Sequence, residues 1–355
     1  MEDFITRMGD GRRVRMTKEQ IMSDIVAGMA DGADAACVPE LSQDEMDRIC
    51  EIVCDRSRIT SIEPGREVVL SKDAGAIKFN QDNGGSGNAI PCMGRLEGIL
   101  VYERAFGFDS MELAWMDYSV KPVKAIINCE TANYEQMAQL TTIPLVMGAM
   151  PNMGLYYAPD GPYPNPTDLM REFKIEESMA ASEAAAEHLT RDIGYICQEI
   201  DKVGCEGYNF DTTASAGDAE FVATLRGIEN YRKQNPNAYI ECGMSAENVL
   251  GIHGAMEYDG KVVAGMYPHN QVKLAQKAGA NIFGSVVNTN TSRSFAWNVA
   301  RAAVITKECV KEAEIPVHAN MGMGVGGIPM AELPPTDITG RAAKVLIEIA
   351  NIDGI

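Results

Sequence analysis

The sequence lacks several features that would place the chain in common functional classes. It has no apolar run of membrane-spanning length, and residues 1–15 lack the apolar core of a signal peptide. Lys and Arg total 31 against 50 Asp and Glu, a formal net charge of −19, which argues against nucleic acid or an anionic membrane as a partner. Nine scattered cysteines contain no Cys-x-x-Cys pair, so we expect reduced thiols and a cytoplasmic protein.

Motifs for metal, nucleophilic-serine and nucleotide chemistry are also missing. No His-Glu-x-x-His or Gly-x-Ser-x-Gly segment occurs, and the glycines of 84–87 (GGSG) are not followed by the lysine of a Walker loop. The segment Gly322–Gly327 (GMGVGG) resembles a dinucleotide fingerprint, but Ile328-Pro329 follows where a helix would have to begin. The sequence therefore predicts no metal site and no nucleotide site.

Short apolar runs alternate with amphipathic segments from about residue 120 onward. Such alternation is typical of parallel βαβ units. We predict helices over Glu176–Val203, Asp218–Lys233, Ser245–Met256 and Ser294–Glu312. The predicted strands are Val123–Cys129, Ile143–Ala149, Glu206–Asp211, Ala238–Gly243, Lys261–Met266, Asn281–Val287 and Ile315–Asn320, with the start of another at Ile352–Ile355. Lys261–Met266 is the weakest of these, and Gly98–Tyr102 is its alternative.

Seven strands and the start of an eighth predict an incomplete (β/α)8 barrel of the TIM type, with a doubly wound open sheet as the alternative. The barrel would span residues 121–355, and residues 1–120 would form a helical and β extension packed on it. Capping boxes at Thr17–Gln20 and Ser42–Glu45 predict two helices in this extension. After Ser42, the apolar residues Met46, Ile49, Cys50 and Val53 follow the spacing of one helix face.

The predicted strand ends hold a small set of polar residues that suit acid–base chemistry. In barrel enzymes the active site lies at these carboxyl ends. Strand periodicity puts Asn209 with Asp211, Tyr239 with Glu241, and His318 with Asn320 on shared faces. If those faces point inward, two carboxylates, an imidazole and two amides could bind a small ammonium ion and move its protons. If they point outward, the same groups would be hydrogen-bonded to helices.

Several long segments resemble the dimethylamine:corrinoid methyltransferases of methylotrophic methanogens. The resemblance extends from Arg7 to Ile355. Its segments are Arg7–Gly11 (RMGDG), Glu103–Gly107 (ERAFG), Gly148–Tyr157 (GAMPNMGLYY), Asn209–Thr213 (NFDTT), Asn288–Ser292 (NTNTS) and Asn320–Pro329 (NMGMGVGGIP).

The resemblance implies transfer of a methyl group from dimethylamine to the Co(I) corrinoid of a partner protein, with release of methylamine. It also implies a pyrrolysine, an electrophilic imine encoded by an amber codon, directly after Ile355. The 355 residues would then be the amber-truncated and inactive portion of the enzyme. Oligomeric state stays open, with a homo-oligomer among the alternatives.

Residue roles follow from combining the resemblance with strand spacing. Glu241 is our first and Asp211 our second choice for the carboxylate that holds the amine, with His318 and Asn320 beside them. The resemblance implies a cationic substrate that aromatic rings can face, so we expect Tyr156, Tyr157 or Tyr208 to contact it. We expect the corrin ring or its carrier to face two glycine–methionine loops, through Met150, Asn152, Gly322, Gly324, Gly326 and Gly327.

Two other functions stay open. A non-catalytic relative would dock the corrinoid protein as a binding or regulatory subunit. A metal-free lyase or hydrolase acting on a cationic amine would work without a corrinoid protein.

Overall fold

The structure is a computed structural model, and it describes residues 3–57, 60, 62–66, 68, 146–149, 151, 153–202, 204–214, 216–244, 249–251, 254–319 and 336–355. Its α-helices are α1 (Lys18–Ala36), α2 (Gln43–Cys54), α3 (Pro166–Arg171), α4 (Ile175–Lys202), α5 (Asp218–Gln234), α6 (Pro268–Ala278), α7 (Phe295–Glu312) and α8 (Thr336–Val345). Its strands are β1 (Asp3–Arg7), β2 (Arg13–Thr17), β3 (Val146–Ala149), β4 (Gly207–Thr213), β5 (Tyr239–Met244), β6 (Glu257–Tyr258), β7 (Lys261–Val262), β8 (Ile282–Ser285) and β9 (Val317–Ala319).

Both predicted capping boxes are confirmed at the starts of α1 and α2. The Thr17 hydroxyl accepts from the Gln20 backbone N–H, and the Gln20 side chain accepts from the Thr17 N–H. Ser42 and Glu45 make the same reciprocal pair. Helix α2 also buries the four predicted apolar side chains, so its one-sided pattern does mark the packed face.

One parallel sheet lies at the centre of the described structure. Its order is β3-β4-β5-β8-β9, and every neighbouring pair is parallel. Gly354 makes a further parallel bridge to His318, where the sequence predicts another strand to begin. The strand order follows the chain order, without the reversal that a doubly wound sheet has at its switch point. The α/β class with a parallel sheet is confirmed, and no closed barrel is present in the part of the chain that the structure describes.

Two predicted elements are wrong. Residues 261–266 do not form a strand of the central sheet, because Lys261–Val262 pairs with Glu257–Tyr258 in a small antiparallel hairpin. Residues 249–251 and 254–256 are not helical, although Ser245–Met256 has a helical pattern. The short helix Pro268–Ala278 that follows the hairpin was not predicted. The predicted strands Val123–Cys129 and Gly98–Tyr102 lie outside the described residues.

Two hydrophobic cores cover the helical side of the sheet. One lies between the strands and helices α4, α5 and α6. The other joins α1 and α2 to α7 and α8. Helix α1 approaches α7 closely, because a Cβ at Gly28 would lie only 2.1 Å from the Trp297 carbonyl oxygen. Helices α1 and α2 of the predicted extension are thus packed directly on the layer that covers the sheet.

Candidate functional site

Three polar residues lie on the sheet face that points away from the first core. In the parallel register Asn209 pairs with Glu241, and His318 pairs with Gly284. Residues of opposite parity, such as Phe210, Ile240 and Phe283, are fully buried in that core. Because successive strand residues face opposite sides, Asn209, Glu241 and His318 share the other face. The predicted inward orientation is therefore supported for these three side chains.

Glu241 and His318 contact one another although their strands are not neighbours. The His318 Nδ1 atom lies 3.2 Å from Glu241 Oε1, and strand β8 runs between β5 and β9. An ionised carboxylate only accepts hydrogen bonds, so Glu241 in that form requires the donated proton to be on Nδ1 of the imidazole. The two side chains are 18% and 16% exposed, which leaves them within reach of a small solute.

Gly284 provides the space that this contact needs. It lies on β8 between the two strands, and a Cβ there would be 3.2 Å from Glu241 Oε1 and 3.0 Å from the Gly243 Cα atom. A side chain would thus crowd both the carboxylate and the neighbouring backbone. The glycine lets the glutamate side chain cross β8 to the imidazole.

This arrangement suits the binding of a cationic amine. A carboxylate of low exposure attracts a cation, and a histidine fixed beside it can orient the carboxylate or exchange a proton. No group of three or more Cys, His, Asp or Glu side chains is arranged to hold a metal ion among the described residues. In the same part of the chain, every helix is too short or too polar to cross a bilayer.

Comparison with protein families gives one match that covers nearly the whole chain. The model of the dimethylamine methyltransferase family matches residues 2–355. The chain belongs to the dimethylamine methyltransferase family. It is therefore a methyltransferase enzyme, and the family implies a small amine as the substrate.

The structure places Tyr208 of this methyltransferase away from the polar face. Its ring is 1% exposed, lies 4.6 Å from the Phe210 ring, and belongs to the core beneath the helices. A residue of this parity on β4 cannot face the same space as Glu241. The prediction that Tyr208 contacts the amine is therefore wrong, and the aromatic character of this position serves packing.

The side chains of Tyr156 and Tyr157 both contact helix α4. The Tyr156 hydroxyl donates to Asp192 Oδ2 at 2.8 Å, and burial raises the pKa of Tyr156. Tyr157 is hydrogen-bonded to Ser182, and burial raises its pKa as well. These contacts fix the segment after β3 to α4, and they give no support to the prediction that the two rings face the amine.

The remaining predicted residues cannot be joined to this site. Asp211 belongs to β4, but the pairing of β4 with β5 shifts register between Phe210 and Thr213, so alternation does not assign Asp211 to a face. Nothing is described of its side chain. The residues outside the described ranges are Asn320, Met150, Asn152, Gly322, Gly324, Gly326 and Gly327.

Glu220 is a buried carboxylate that our sequence reading missed. It is 1% exposed, and its oxygens accept the backbone N–H groups of Ala216 at 3.1 Å and Met153 at 3.4 Å. It thereby joins the loop after β4 to the segment after β3, both at the carboxyl edge of the sheet. An acid in the first turn of a predicted helix is usually an exposed partner of the helix dipole, so its pattern gave no signal of burial.

Asp218 begins the same helix and was missed for the same reason. Its Oδ1 accepts from the Ala219 N–H at 2.9 Å, whereas its buried Oδ2 has no hydrogen-bond partner in the described part of the chain. The backbone at Gly254 is so close that a Cβ there would overlap Oδ2. Burial raises the pKa of Asp218, because the charged form loses hydration that its backbone hydrogen bonds do not fully replace.

Proposed function

We propose that this methyltransferase transfers a methyl group from dimethylamine to the Co(I) corrinoid of a partner protein and releases methylamine. The observation that carries the proposal is the family match over residues 2–355. The reaction would take place at the carboxyl end of a TIM-type barrel. The consecutive order of the five parallel strands and the bridge from His318 to Gly354 support that architecture.

Glu241 and His318 would bind the substrate and handle its proton. A secondary amine is a cation at neutral pH, and its nitrogen must lose a proton before it can act as a base or nucleophile. Glu241 would hold the ammonium group, and the hydrogen bond from His318 Nδ1 would fix the carboxylate in place. The acceptor corrinoid would arrive as a second substrate on its carrier protein, as the resemblance implies.

We also propose that a pyrrolysine takes part in the reaction, as the resemblance implies. This residue would supply an electrophilic imine. The residues of this chain would then act on the amine only by binding, orienting and deprotonating it.

The seven described cysteines are free thiols, which supports a reducing cytoplasm as the location.

The test is cobalt methylation by the full-length protein. The enzyme, the reduced corrinoid protein and dimethylamine are mixed anaerobically, and conversion of Co(I) to methyl-Co(III) is followed by visible absorbance while methylamine is measured by chromatography. We expect methylated cobalt and methylamine in equal amounts, and dependence on all three components.

Two variants make the test specific to the site. Glu241→Gln removes the charge at the polar face, and Glu257→Gln makes the same change at an exposed position of the β6–β7 hairpin. We expect a large loss of cobalt methylation for Glu241→Gln and not for Glu257→Gln. Amine turnover without the corrinoid protein would overturn the proposal, and so would docking of that protein without any methyl transfer.

A further inference from the structure

We propose that Asn209 is the second hydrogen-bond acceptor for the substrate ammonium ion, and that it gives the enzyme its preference for a secondary amine. The inference rests on the proposed function, since it takes the amine to bind at Glu241. It concerns substrate recognition rather than methyl transfer, and the two can be measured separately.

The placement of Asn209 is the first argument. Asn209 and Glu241 are directly paired residues of the adjacent strands β4 and β5, so their side chains leave the same face about 5 Å apart. The Oδ1 atom of Asn209 is buried and has no hydrogen-bond partner among the residues that the structure describes. Buried polar side-chain atoms are nearly always paired, so an unpaired acceptor beside a carboxylate indicates a missing donor.

The number of N–H groups on the amine is the second argument. Dimethylammonium has two N–H donors, whereas trimethylammonium has one and methylammonium has three. Glu241 Oε1 is engaged by His318, and the other carboxylate oxygen, Oε2, takes no part in that contact. Oε2 and Asn209 Oδ1 together provide two acceptors, the number that dimethylammonium requires. With trimethylammonium, the Asn209 oxygen would face a methyl group and stay unpaired.

The neutral amide is the third argument. One carboxylate balances the single charge of the ammonium ion, and an amide oxygen adds an acceptor without adding a second buried negative charge. Two carboxylates at this spacing would repel one another and bind a proton between them. Asn209 thus supplies directional recognition while Glu241 supplies the charge. Selection by a hydrogen bond that an analogue cannot make discriminates more strongly than selection by size alone.

The test measures amine affinity in the absence of the corrinoid protein. Dimethylammonium, trimethylammonium and methylammonium chlorides are titrated into the full-length protein by calorimetry. Asn209→Leu replaces the amide by an apolar side chain of similar size. Asn237→Leu makes the same change in the exposed turn before β5, where it serves as the matched control.

We expect Asn209→Leu to weaken dimethylammonium binding about 10- to 100-fold, as for loss of a hydrogen bond to a charged group. Trimethylammonium binding should change less than about threefold, and Asn237→Leu should change neither affinity. If Asn209→Leu does not fold, the smaller polar variant Asn209→Ser replaces it. The ratio of the affinity for dimethylammonium to that for trimethylammonium should still fall. Equal weakening of both amines, or no change in either, would overturn the inference.

Failure of this inference and failure of the proposed function give different results. If the enzyme methylates cobalt but Asn209→Leu leaves the ratio of dimethylammonium to trimethylammonium affinity unchanged, the proposed function stands and the role of Asn209 is overturned. A lowered affinity ratio without cobalt methylation would support Asn209 as the second acceptor and overturn the function.

Discussion

Replacing Gly284 by alanine should break the contact between Glu241 and His318. The added Cβ would lie 3.2 Å from Glu241 Oε1 and 3.0 Å from the Gly243 Cα atom. Strand backbone in a packed sheet shifts little, whereas the end of a glutamate side chain rotates easily. We therefore expect the carboxylate to move away from His318 Nδ1 and the 3.2 Å hydrogen bond to be lost.

The size of the effect follows from the kind of bond that is lost. A hydrogen bond to a charged group contributes about 1.5–3 kcal/mol. At about 1.4 kcal/mol per factor of ten, kcat/KM should fall roughly 10- to 150-fold. Crowding against Gly243 should also lower the free energy of unfolding by about 1–3 kcal/mol, which is typical of an overpacked site.

Two assays separate displacement of the carboxylate from general damage. Nitrogen NMR of the His318 ring reports the fraction of the tautomer with a proton on Nδ1, which Glu241 stabilises and which should fall in Gly284→Ala. Cobalt methylation reports activity in Gly284→Ala, His318→Gln and the double variant. Because both single changes remove the same bond, their effects on activity should not add. When His318→Gln is already present, Gly284→Ala should lower kcat/KM by less than about threefold.

The control is Gly194→Ala in helix α4, where a Cβ would meet only the end of the Gln234 side chain at 3.9 Å. Alanine is the better helix former, so this variant should be as stable as the parent or about 0.5–1 kcal/mol more stable. The reasoning is refuted if Gly284→Ala leaves the His318 tautomer unchanged, or if its loss of activity persists in full when His318 is absent.

Three further predictions concern stability. Burial raises the pKa of Asp218 in the folded state, so the folded protein binds more protons than the unfolded chain and loses stability as pH rises from the unfolded pKa of 3.8 through the folded value. Asp218→Asn should therefore raise the melting temperature at pH 7 and flatten its dependence on pH. The control Asp160→Asn, at an exposed turn, should do neither. Glu220→Ala leaves two backbone N–H groups without their acceptor and should cost about 2–5 kcal/mol in urea unfolding, and an unchanged midpoint would contradict the role of Glu220 in joining the two loops. Gly28→Ala forces a Cβ to within 2.1 Å of the Trp297 carbonyl and should separate α1 from α7, with a loss of at least about 3 kcal/mol; a parent-like melting curve would show that the helices do not pack this closely.

Local patterns predict the elements of this chain well where the chemistry is local. The capping boxes at Thr17 and Ser42 depend on residues within one turn, and both form as predicted. The predicted strand 261–266 is wrong because a two-residue turn at Asp259–Gly260, with both residues at positive φ, folds Lys261–Val262 back onto Glu257–Tyr258 and not onto the central sheet. The apolar composition was read correctly, but the turn residues that decide the pairing partner were overlooked.

The candidate site shows a similar division. Period-2 alternation placed Asn209 with Asp211, Tyr239 with Glu241, and His318 with Asn320, and it left open whether those faces point inward. It could not show that Glu241 would reach His318, since that contact depends on strand order and on the missing side chain of Gly284. Tyr208 was misjudged because an aromatic ring suits a cation and a hydrophobic core equally, and only register assigns it to the core.

The contact across β8 also fixes the position of the Glu241 carboxylate. Glu241 and His318 come from strands separated by 77 positions in the chain, and a third strand lies between them. A carboxylate held in this way has little freedom to follow the substrate, so the substrate must orient to it. In the proposed reaction, where a methyl group would point at a cobalt atom on another protein, a fixed carboxylate and a fixed amide would define two N–H directions and leave the methyl groups on the opposite side. The rigidity of the strands thus supplies the orientation that a more mobile cluster of loop residues would not.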